Sequence, residues 1–254
     1  MKLAFRIAVG VVILVVALAI VVPMFLINSV VKRGIETAGP VVAKVEVKLD
    51  RVNISVFSGA GQLSGLFVGN PEGYKTPSAI KGGLVSVAIE PRSVFKDKVV
   101  VKSVRINSPE ITFEGGLSGN NLKQILDNIE TSIGSSKTAD KTPSSGKKIQ
   151  VDDLLIEGAK VNLSTGVMGG KTISVPLPDV HLRDLGKGSD GISGPELAQK
   201  IMKEIVSGVL TVASRELGRI GQEAVGNATD AVKAAIGGIG DAFQGVGGLL
   251  KKKK

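Results

Sequence analysis

Two aspartates, one glutamate and one histidine are the side chains whose types and spacing could support acid–base chemistry. Asp152, Asp153 and Glu157 lie close together in the sequence, and general acid–base catalysis commonly uses a pair of carboxylates. Their segment has the hydropathy pattern of a strand, however, and adjacent residues of a strand point to opposite faces. We therefore predict that these carboxylates lie on a solvated face or in a turn and form no catalytic pair.

His181 is the single histidine of the chain, and there is no cysteine. One histidine excludes a paired-histidine zinc site, and the lack of cysteine excludes disulfides, thiolate metal sites and cysteine nucleophiles. No Gly-x-Ser-x-Gly nucleophile motif is present. The glycine clusters at 59–61, 115–116 and 169–170 lack the lysine of a phosphate loop and are predicted to be turns. We expect a surface or turn histidine, no catalytic residue, no metal and no cofactor, and we predict that the protein is not an enzyme.

The net charge of +9 is concentrated at the two ends of the chain. Residues 1–33 contain four cations and no acid, and Lys251 to Lys254 add four more, which leaves only +1 for residues 34–250. A nucleic-acid surface needs clustered cations and aromatic side chains for stacking, but the chain has seven Phe, one Tyr and no Trp. We expect no nucleic-acid partner.

The first predicted structural element is an apolar run from Ile7 to Ile27. Lysine and arginine residues flank it on both sides. As a helix, these 21 residues would cover about 30 Å, the thickness of the bilayer hydrocarbon. A cleaved signal peptide is the alternative, but its apolar region is about 7–15 residues long and ends at a small-residue site. We predict a transmembrane signal anchor over residues 1–33.

From Pro40 the hydropathy pattern changes to the alternation that is typical of strands. The strands are short and polar turns join them, which predicts a curved antiparallel sheet over residues 34–190. The alternation changes phase between Leu49 and Val52, so we expect a bulge or break there. Further turns are expected at Pro91, Lys96–Lys98 and Ser108–Pro109.

Two segments have the periodicity of amphipathic helices. Asn120 is the predicted N-cap of the first, whose apolar stripe consists of Leu122, Ile125, Leu126, Ile129 and Ile133. The low-complexity segment 134–148 follows it and is predicted to be a flexible loop. The second helical region covers residues 193–254, with Ser193 as its cap and Pro195 in its first turn. The sequence thus predicts an α+β fold with one inserted helix and a C-terminal helical region.

The C-terminal end combines apolar residues with a lysine tail. Apolar side chains among lipid headgroups and ammonium groups on anionic lipid are typical of an interfacial anchor, at about 1 kcal/mol for each cation. A solvated terminus is the alternative. The residues of this predicted membrane contact are Phe243, Leu249, Leu250, Lys251, Lys252, Lys253 and Lys254.

The β-rich region resembles the AsmA-like proteins. The similarity covers about residues 1–185 and is carried by segments 63–74 (LSGLFVGNPEGY), 85–87, 93–95, 104–111 (VRINSPEI), 119–122 (GNNL) and 149–161 (IQVDDLLIEGAKV). It implies an inner-membrane-anchored periplasmic protein with a β-groove related to that of chorein-type lipid-transfer proteins, which moves phospholipid toward the outer membrane. Each strand adds about 4.8 Å, so about ten strands cannot cross a periplasm of order 200 Å, and we expect a short single module.

Two functions are compatible with this sequence. The first is a membrane-anchored lipid-binding or lipid-transfer module of the bacterial cell envelope, whose apolar β-groove shields acyl chains. The same groove residues could instead pack beneath the helices as an ordinary core. The candidate groove residues are Val85, Val87, Ile89, Val101, Val104, Ile106, Ile111, Val161 and Leu163.

The second function is that of a non-enzymatic structural or interaction protein, which organises an envelope complex through its C-terminal helix. The glycines at 237–248 would permit close approach of another helix. The expected partners are the membrane, phospholipid and, for the second function, an envelope protein. The expected location is the inner (cytoplasmic) membrane, with a single pass and most of the chain in the periplasm.

Overall fold

The computed structural model describes residues 27–55, 57–138, 147–164 and 172–250, and the side chains of these residues except 136–138 and 223–250. The described residues form a mixed, curved sheet of ten strands, three α-helices and one short 3-10 helix. This confirms the predicted α+β class with an inserted and a C-terminal helix. The chain divides into two compact units, Met1–Leu210 and Thr211–Lys254.

Helix α1 spans residues 27–43, whereas residues 1–26 of the predicted anchor lie outside the described residues. No helix within the described ranges is long and apolar enough to cross a membrane. Side chains of α1 satisfy backbone groups of the first strands: Asn28 Oδ1 accepts a 2.8 Å hydrogen bond from Ile54 N, and Glu36 Oε1 accepts one of 3.0 Å from Leu49 N. Asn28, which belongs to the predicted anchor segment 1–33, thus contacts the first strands of the sheet.

The central path of the sheet runs β1-β4-β5-β6-β7-β10, with β2 and β3 attached to β5 and with β8 and β9 attached to β6. The strands are β1 (Val47–Lys48), β2 (Arg51–Ile54), β3 (Ala60–Ser64), β4 (Phe67–Val68), β5 (Ile80–Ile89), β6 (Lys98–Glu114), β7 (Lys148–Glu157), β8 (Lys160–Ser164), β9 (Thr172–Pro176) and β10 (Val180–Leu185). Because β1 pairs with β4 and β2 pairs with β3, the predicted break between Leu49 and Val52 is confirmed.

The prediction of a wholly antiparallel sheet is wrong. Strand β6 pairs in parallel with β7 and with β8. The reason is helix α2 (Asn121–Thr138), which follows β6 and returns the chain to the start of that strand, where Lys148 pairs with Lys98. Parallel neighbours require such a crossover connection. Hydropathy periodicity identifies the strands but does not show whether neighbouring strands run parallel or antiparallel.

The predicted caps of both helices are confirmed. Asn120 Oδ1 accepts a 2.9 Å hydrogen bond from Lys123 N at the start of α2. Helix α3 (Gly194–Leu250) begins with a capping box, in which Glu196 Oε2 accepts hydrogen bonds from Ser193 N (2.8 Å) and Ser193 Oγ (2.9 Å). These bonds satisfy N–H groups that have no partner within the first turn of a helix.

The boundaries of the predicted flexible segment 134–148 are wrong. Helix α2 continues to Thr138 and β7 begins at Lys148, because serine and threonine at a helix end do not stop a helix whose apolar face is already packed. The remainder of that segment, residues 139–146, lies outside the described residues, as does the glycine cluster at 169–170.

Residues with positive φ lie at the same level of the sheet in β5, in β6 and in the connection between β7 and β8. The backbone has a positive φ at Gly82 and Gly83 of β5, at Ser108 of β6, and at Gly158 between β7 and β8. Gly82 pairs with Pro109, and a Cβ on Gly158 would lie 3.2 Å from Ser108 Oγ. We call this row of positive-φ positions the kink line.

Of the three turns predicted in this region, one is wrong and two are confirmed. A single strand of 17 residues, β6, passes through Ser108–Pro109, so no turn exists there. The 3-10 helix Pro91–Phe95 and a bend at residues 96–97 connect β5 to β6, as predicted. A serine–proline pair is read as a turn from the sequence, but a strand accommodates it where its neighbours bend with it.

Gly82→Ala is expected to lower the free energy of unfolding by about 1 kcal/mol, because residues with a Cβ disfavour positive φ. No atom lies within 4 Å of the added Cβ, so the effect comes from the backbone alone. Gly134→Ala in α2 is the matched control: its Cβ also meets no atom within 4 Å, and helix propensity predicts a gain of about 0.5–1 kcal/mol. Urea unfolding of the full chain in detergent, followed by circular dichroism, measures both; equal effects of the two changes would contradict this account.

Candidate functional site

An apolar cavity of about 460 Å³, partly open to the surface, lies between the helices and one face of the sheet. Small-molecule sites usually have about 300–1,000 Å³, so its size is that of a binding site. Of the described residues, 22 line it, and all are glycine, alanine, proline, methionine or larger aliphatic residues. Six come from α1, two from α2, six from the first turns of α3, and the other eight from the sheet and its connections.

The floor of the cavity follows the kink line. Ile106, Pro109 and Ile111 line it from both sides of the bend in β6, while Ile80 lines it from β5 and Ile156 from β7. These five residues lie within a few positions of Gly82, Ser108 or Gly158, where the backbone has positive φ. The bend therefore lies at the place where the sheet and the helices leave space between them.

Two pairs of small residues line the cavity at exposed or half-buried positions of α1 and α3. Gly34 and Ala38 are four positions apart on α1, and Gly194 and Ala198 are four positions apart on α3, so each pair lies on one face of its helix. A Cβ added at Gly34 or at Gly194 would meet no atom within 4 Å. We call these four residues the mouth. The space beside both glycines is therefore open.

The side of α1 that carries Gly34 and Ala38 also has exposed apolar residues before and after them. Val30 is 62% exposed and Val41 is 72% exposed. Their spacing from Gly34 and Ala38 places all four residues along one side of the helix. Val30, Gly34, Ala38 and Val41 thus form an exposed apolar stripe along α1.

The structure brings two of the nine predicted groove residues to the cavity, Ile106 and Ile111. Val161 and Leu163 are fully buried on β8 and are part of the core, outside the described lining. The other five are half-buried on β5 and β6 and also lie outside that lining: Val85, Val87, Ile89, Val101 and Val104. The sequence reasoning missed the helices, which supply most of the lining. The four-residue spacing of small residues in α1 and α3 is the signal that could have found them.

A buried asparagine fixes α2 above the sheet. Asn121 is fully buried, and its amide donates to Thr112 O at 2.8 Å and to Asn70 Oδ1 at 2.7 Å. Its Oδ1 accepts a 2.9 Å hydrogen bond from Glu114 N. A buried amide whose donors and acceptor are all paired defines one position of the helix. The Asn121 network thereby sets where α2 places its two lining residues, Ile125 and Ile129.

Glu114 extends this network to the connection between β4 and β5. Its carboxylate accepts hydrogen bonds from Lys75 N and Thr76 N, both at 2.7 Å, and from Thr76 Oγ1 at 2.6 Å. Burial raises the pKa of the Glu114 carboxyl, but the bonds from the Thr76 hydroxyl and from the two backbone N–H groups outweigh burial, and the pKa lies below its usual value. The charged form of Glu114 is therefore the form that the fold stabilises.

Glu114→Gln is expected to lower the free energy of unfolding at pH 7 by about 1–3 kcal/mol, since an amide cannot accept all three bonds. Because the pKa of Glu114 is lower in the folded than in the unfolded chain, its contribution is present above the unfolded pKa of about 4.3 and is lost as the pH falls through the folded pKa. The variant should thus lose less stability than the wild type between pH 5 and the folded pKa. Urea unfolding at several pH values measures this, with Glu110→Gln on an exposed position of β6 as the control; an unchanged pH dependence would contradict it.

Asp153 and His181, together with Arg105, lie on the opposite face of the sheet from the cavity, since Arg105 is adjacent to the lining residue Ile106. Asp153 forms an ion pair with Arg105 at 2.6 Å and a 2.5 Å hydrogen bond with His181 Nε2. The bond from His181 and then the bond from Arg105 hold the pKa of Asp153 below its usual value. Asp152 pairs with Lys102 at 3.4 Å. Ion pairs of this kind are common on solvated surfaces, where we predicted these carboxylates.

Two other sets of predicted residues are placed as follows. Among the described residues, no group of three or more His, Cys, Asp or Glu is arranged to hold a metal ion. The backbone of α3 continues to Leu250, but the side chains of Phe243, Leu249 and Leu250 and the whole of Lys251 to Lys254 lie outside the described residues. The predicted C-terminal membrane contact stays a prediction.

Comparisons of the chain with protein-family models, with curated proteins and with solved structures find no match. The resemblance to the AsmA-like proteins therefore rests on the sequence segments alone. The size and the apolar lining of the cavity are the features that bear on function.

Proposed function

We propose that this protein is a membrane-anchored lipid-binding module that accommodates an acyl chain in the apolar cavity. The observation that carries the proposal is the lining itself, which consists of aliphatic residues, methionine, proline and glycine. A cavity of about 150 Å³ with such a lining accommodates benzene. The volume of about 460 Å³ is roughly three times larger, which corresponds to about eighteen carbon atoms, or one acyl chain.

The chemistry of the lining favours an acyl chain over a polar ligand. Sites for cofactors and polar metabolites place a few donors and acceptors around the ligand to orient it. The described lining of this cavity is made of apolar residue types, so a buried polar ligand would lose its hydrogen bonds to water without replacement. Each methylene group transferred from water contributes about 0.8 kcal/mol. An aliphatic chain with its headgroup outside the mouth is the ligand that fits.

The position of the mouth supports delivery of lipid from a bilayer. Gly34 lies seven residues after Ile27, the end of the apolar run that we propose as the membrane anchor. The exposed stripe of Val30, Gly34, Ala38 and Val41 connects the beginning of α1 to the mouth. A lipid that leaves the bilayer along this stripe would keep part of its chain on apolar surface. The resemblance to AsmA-like proteins supports an inner-membrane location, with most of the chain in the periplasm.

Native mass spectrometry of the full chain, released from detergent micelles, tests the proposal. The expected result is one or more phospholipids retained by the folded chain. Phospholipids with a photoreactive group in the acyl chain then locate the site: cross-links are expected on the peptides that contain Ile129 of α2 and Met202 of α3, which line the cavity. A folded chain that retains no lipid, or cross-links confined to residues 1–27, would refute the proposal.

An interaction protein that acts through α3 is the alternative. The unit Thr211–Lys254 consists largely of helix, since α3 extends to Leu250. Six glycines between residues 237 and 248 cost about 1 kcal/mol each relative to alanine, so a bound partner would be expected to stabilise this part of the helix. A lipid-free folded chain that loses a protein partner when residues 223–254 are removed would favour this function.

A further inference from the structure

We propose that one end of the domain is a membrane-contact surface, formed by the connections 57–59 and 90–97, which docks on anionic phospholipid headgroups. Its aromatic residues are Phe57, which is 68% exposed, and Phe95, which is 85% exposed. The chain has only seven phenylalanines, and exposed phenylalanine is costly in water but favourable at a bilayer interface. We call Phe57, Pro91, Arg92 and Phe95 the tip surface.

The two phenylalanines belong to one surface although they lie far apart in the sequence. Phe57, Pro91, Arg92 and Phe95 border the same shallow depression. The connections that carry them are held together by a 2.7 Å hydrogen bond from Ile89 N to Gly59 O. A Cβ on Gly59 would lie 3.2 Å from the Pro91 side chain, so the backbones approach closely. The two rings can therefore contact one bilayer at the same time.

The charge around the tip surface is complementary to anionic lipid. Residues 90–98 and 147–148 carry five cations and two acids, and one of the acids, Glu90, pairs with Lys102 at 3.3 Å. Lys147 Nζ donates to Val94 O, and Lys148 N donates to Asp97 O at 3.0 Å, so the second basic segment lies beside the first. Exposed phenylalanine surrounded by lysine and arginine is the composition of an interfacial binding surface.

The position of Asn28, directly after the proposed membrane anchor, favours the bilayer as the partner of the tip surface. The apolar run Ile7–Ile27 leads directly into Asn28, whose Oδ1 accepts a 2.8 Å hydrogen bond from Ile54 N, three residues before Phe57. The proposed anchor and the tip surface are therefore at the same end of the domain. This inference rests on the anchor of the proposed function and is independent of the cavity.

Single-tryptophan fluorescence tests the tip surface, because the chain has no tryptophan of its own. Phe57→Trp and Phe95→Trp are made in the full chain and reconstituted in vesicles of phosphatidylcholine with phosphatidylglycerol, with and without brominated acyl chains. Leu117→Trp is the matched control: Leu117 is 45% exposed and follows the far end of β6, which is about 50 Å long. Quenching by brominated lipid is expected at positions 57 and 95 and not at 117.

The charges are tested by Arg92→Gln with Lys96→Gln in the Phe95→Trp chain. Each lost cation should weaken docking on anionic vesicles about fivefold, while vesicles of phosphatidylcholine alone should show little difference. A chain that floats with the vesicles but has an unquenched tryptophan at 95 would overturn the proposal and leave the anchor in place. A blue shift that depends on protein concentration and not on brominated lipid would also overturn it, by identifying a second copy of the chain as the partner. In both cases native mass spectrometry measures separately whether the chain retains phospholipid, so a failure of the tip surface is distinguished from a failure of the cavity.

Discussion

Replacing Ala198 with phenylalanine is expected to weaken phospholipid retention about 30- to 150-fold while the fold is preserved. Ala198 lines the cavity from α3 and is part of the mouth, so the ring extends into space that the acyl chain would occupy. Displacing about three methylene groups removes roughly 2–3 kcal/mol of apolar burial. The ring fills empty volume, and the free energy of unfolding should stay equal or rise by about 0.5–2 kcal/mol.

Lipid titration followed by native mass spectrometry measures this effect, and urea unfolding reports the stability. Lys200→Phe is the matched control, because it adds the same ring at an exposed position two residues later on the same helix. The control should retain lipid like the wild type. Undiminished lipid binding by Ala198→Phe would show that any bound lipid occupies another place, and the proposed site would then be abandoned.

Replacing Phe113 with alanine is expected to lower the free energy of unfolding by about 3–5 kcal/mol. Phe113 is fully buried on β6 beside its partner Leu163 of β8, which is also fully buried. The change removes the transfer free energy of the ring and leaves a cavity that the sheet cannot close. Since domains are stable by about 5–15 kcal/mol, the variant should approach the limit of folding.

Phe95→Ala makes the same chemical change at a side chain that is 85% exposed, and it should alter stability by less than about 0.5 kcal/mol. Thermal and urea unfolding of the full chain in detergent compare the two variants. A large loss of stability in Phe95→Ala would mean that Phe95 packs within the fold, and it would count against the tip surface as well. A small loss in Phe113→Ala would contradict the position of the core.

Much of the candidate site lay beyond prediction, for a specific reason. The sequence identified Ile106 and Ile111 because alternation marks the residues on one face of a strand. It offered the same argument for Val87 and Val104, which lie outside the described lining. Alternation cannot show which part of an apolar face a helix covers. The lining residues of α1 and α3 were missed because the sequence does not show over which part of the sheet each helix packs.

Local sequence patterns were enough to predict the α+β class, the break between β1 and β2, the caps of α2 and α3, and the surface character of Asp153 and His181. Each of these depends on residues that are close in the chain: a period of 2 or 3.6, or a side chain that bonds its own backbone three residues on. Local stereochemistry is sufficient for such features.

The parallel pairing of β6, its continuous path through Ser108–Pro109 and the cavity depend on contacts between segments that are distant in the sequence. β6 continues through Ser108, which has a positive φ, because Gly82 and Gly158, distant in the sequence, have a positive φ beside it. The cavity exists because three helices and a kinked sheet approach one another without filling the space between them. Volume left between distant segments is a property of their packing, and no single segment of the sequence contains it.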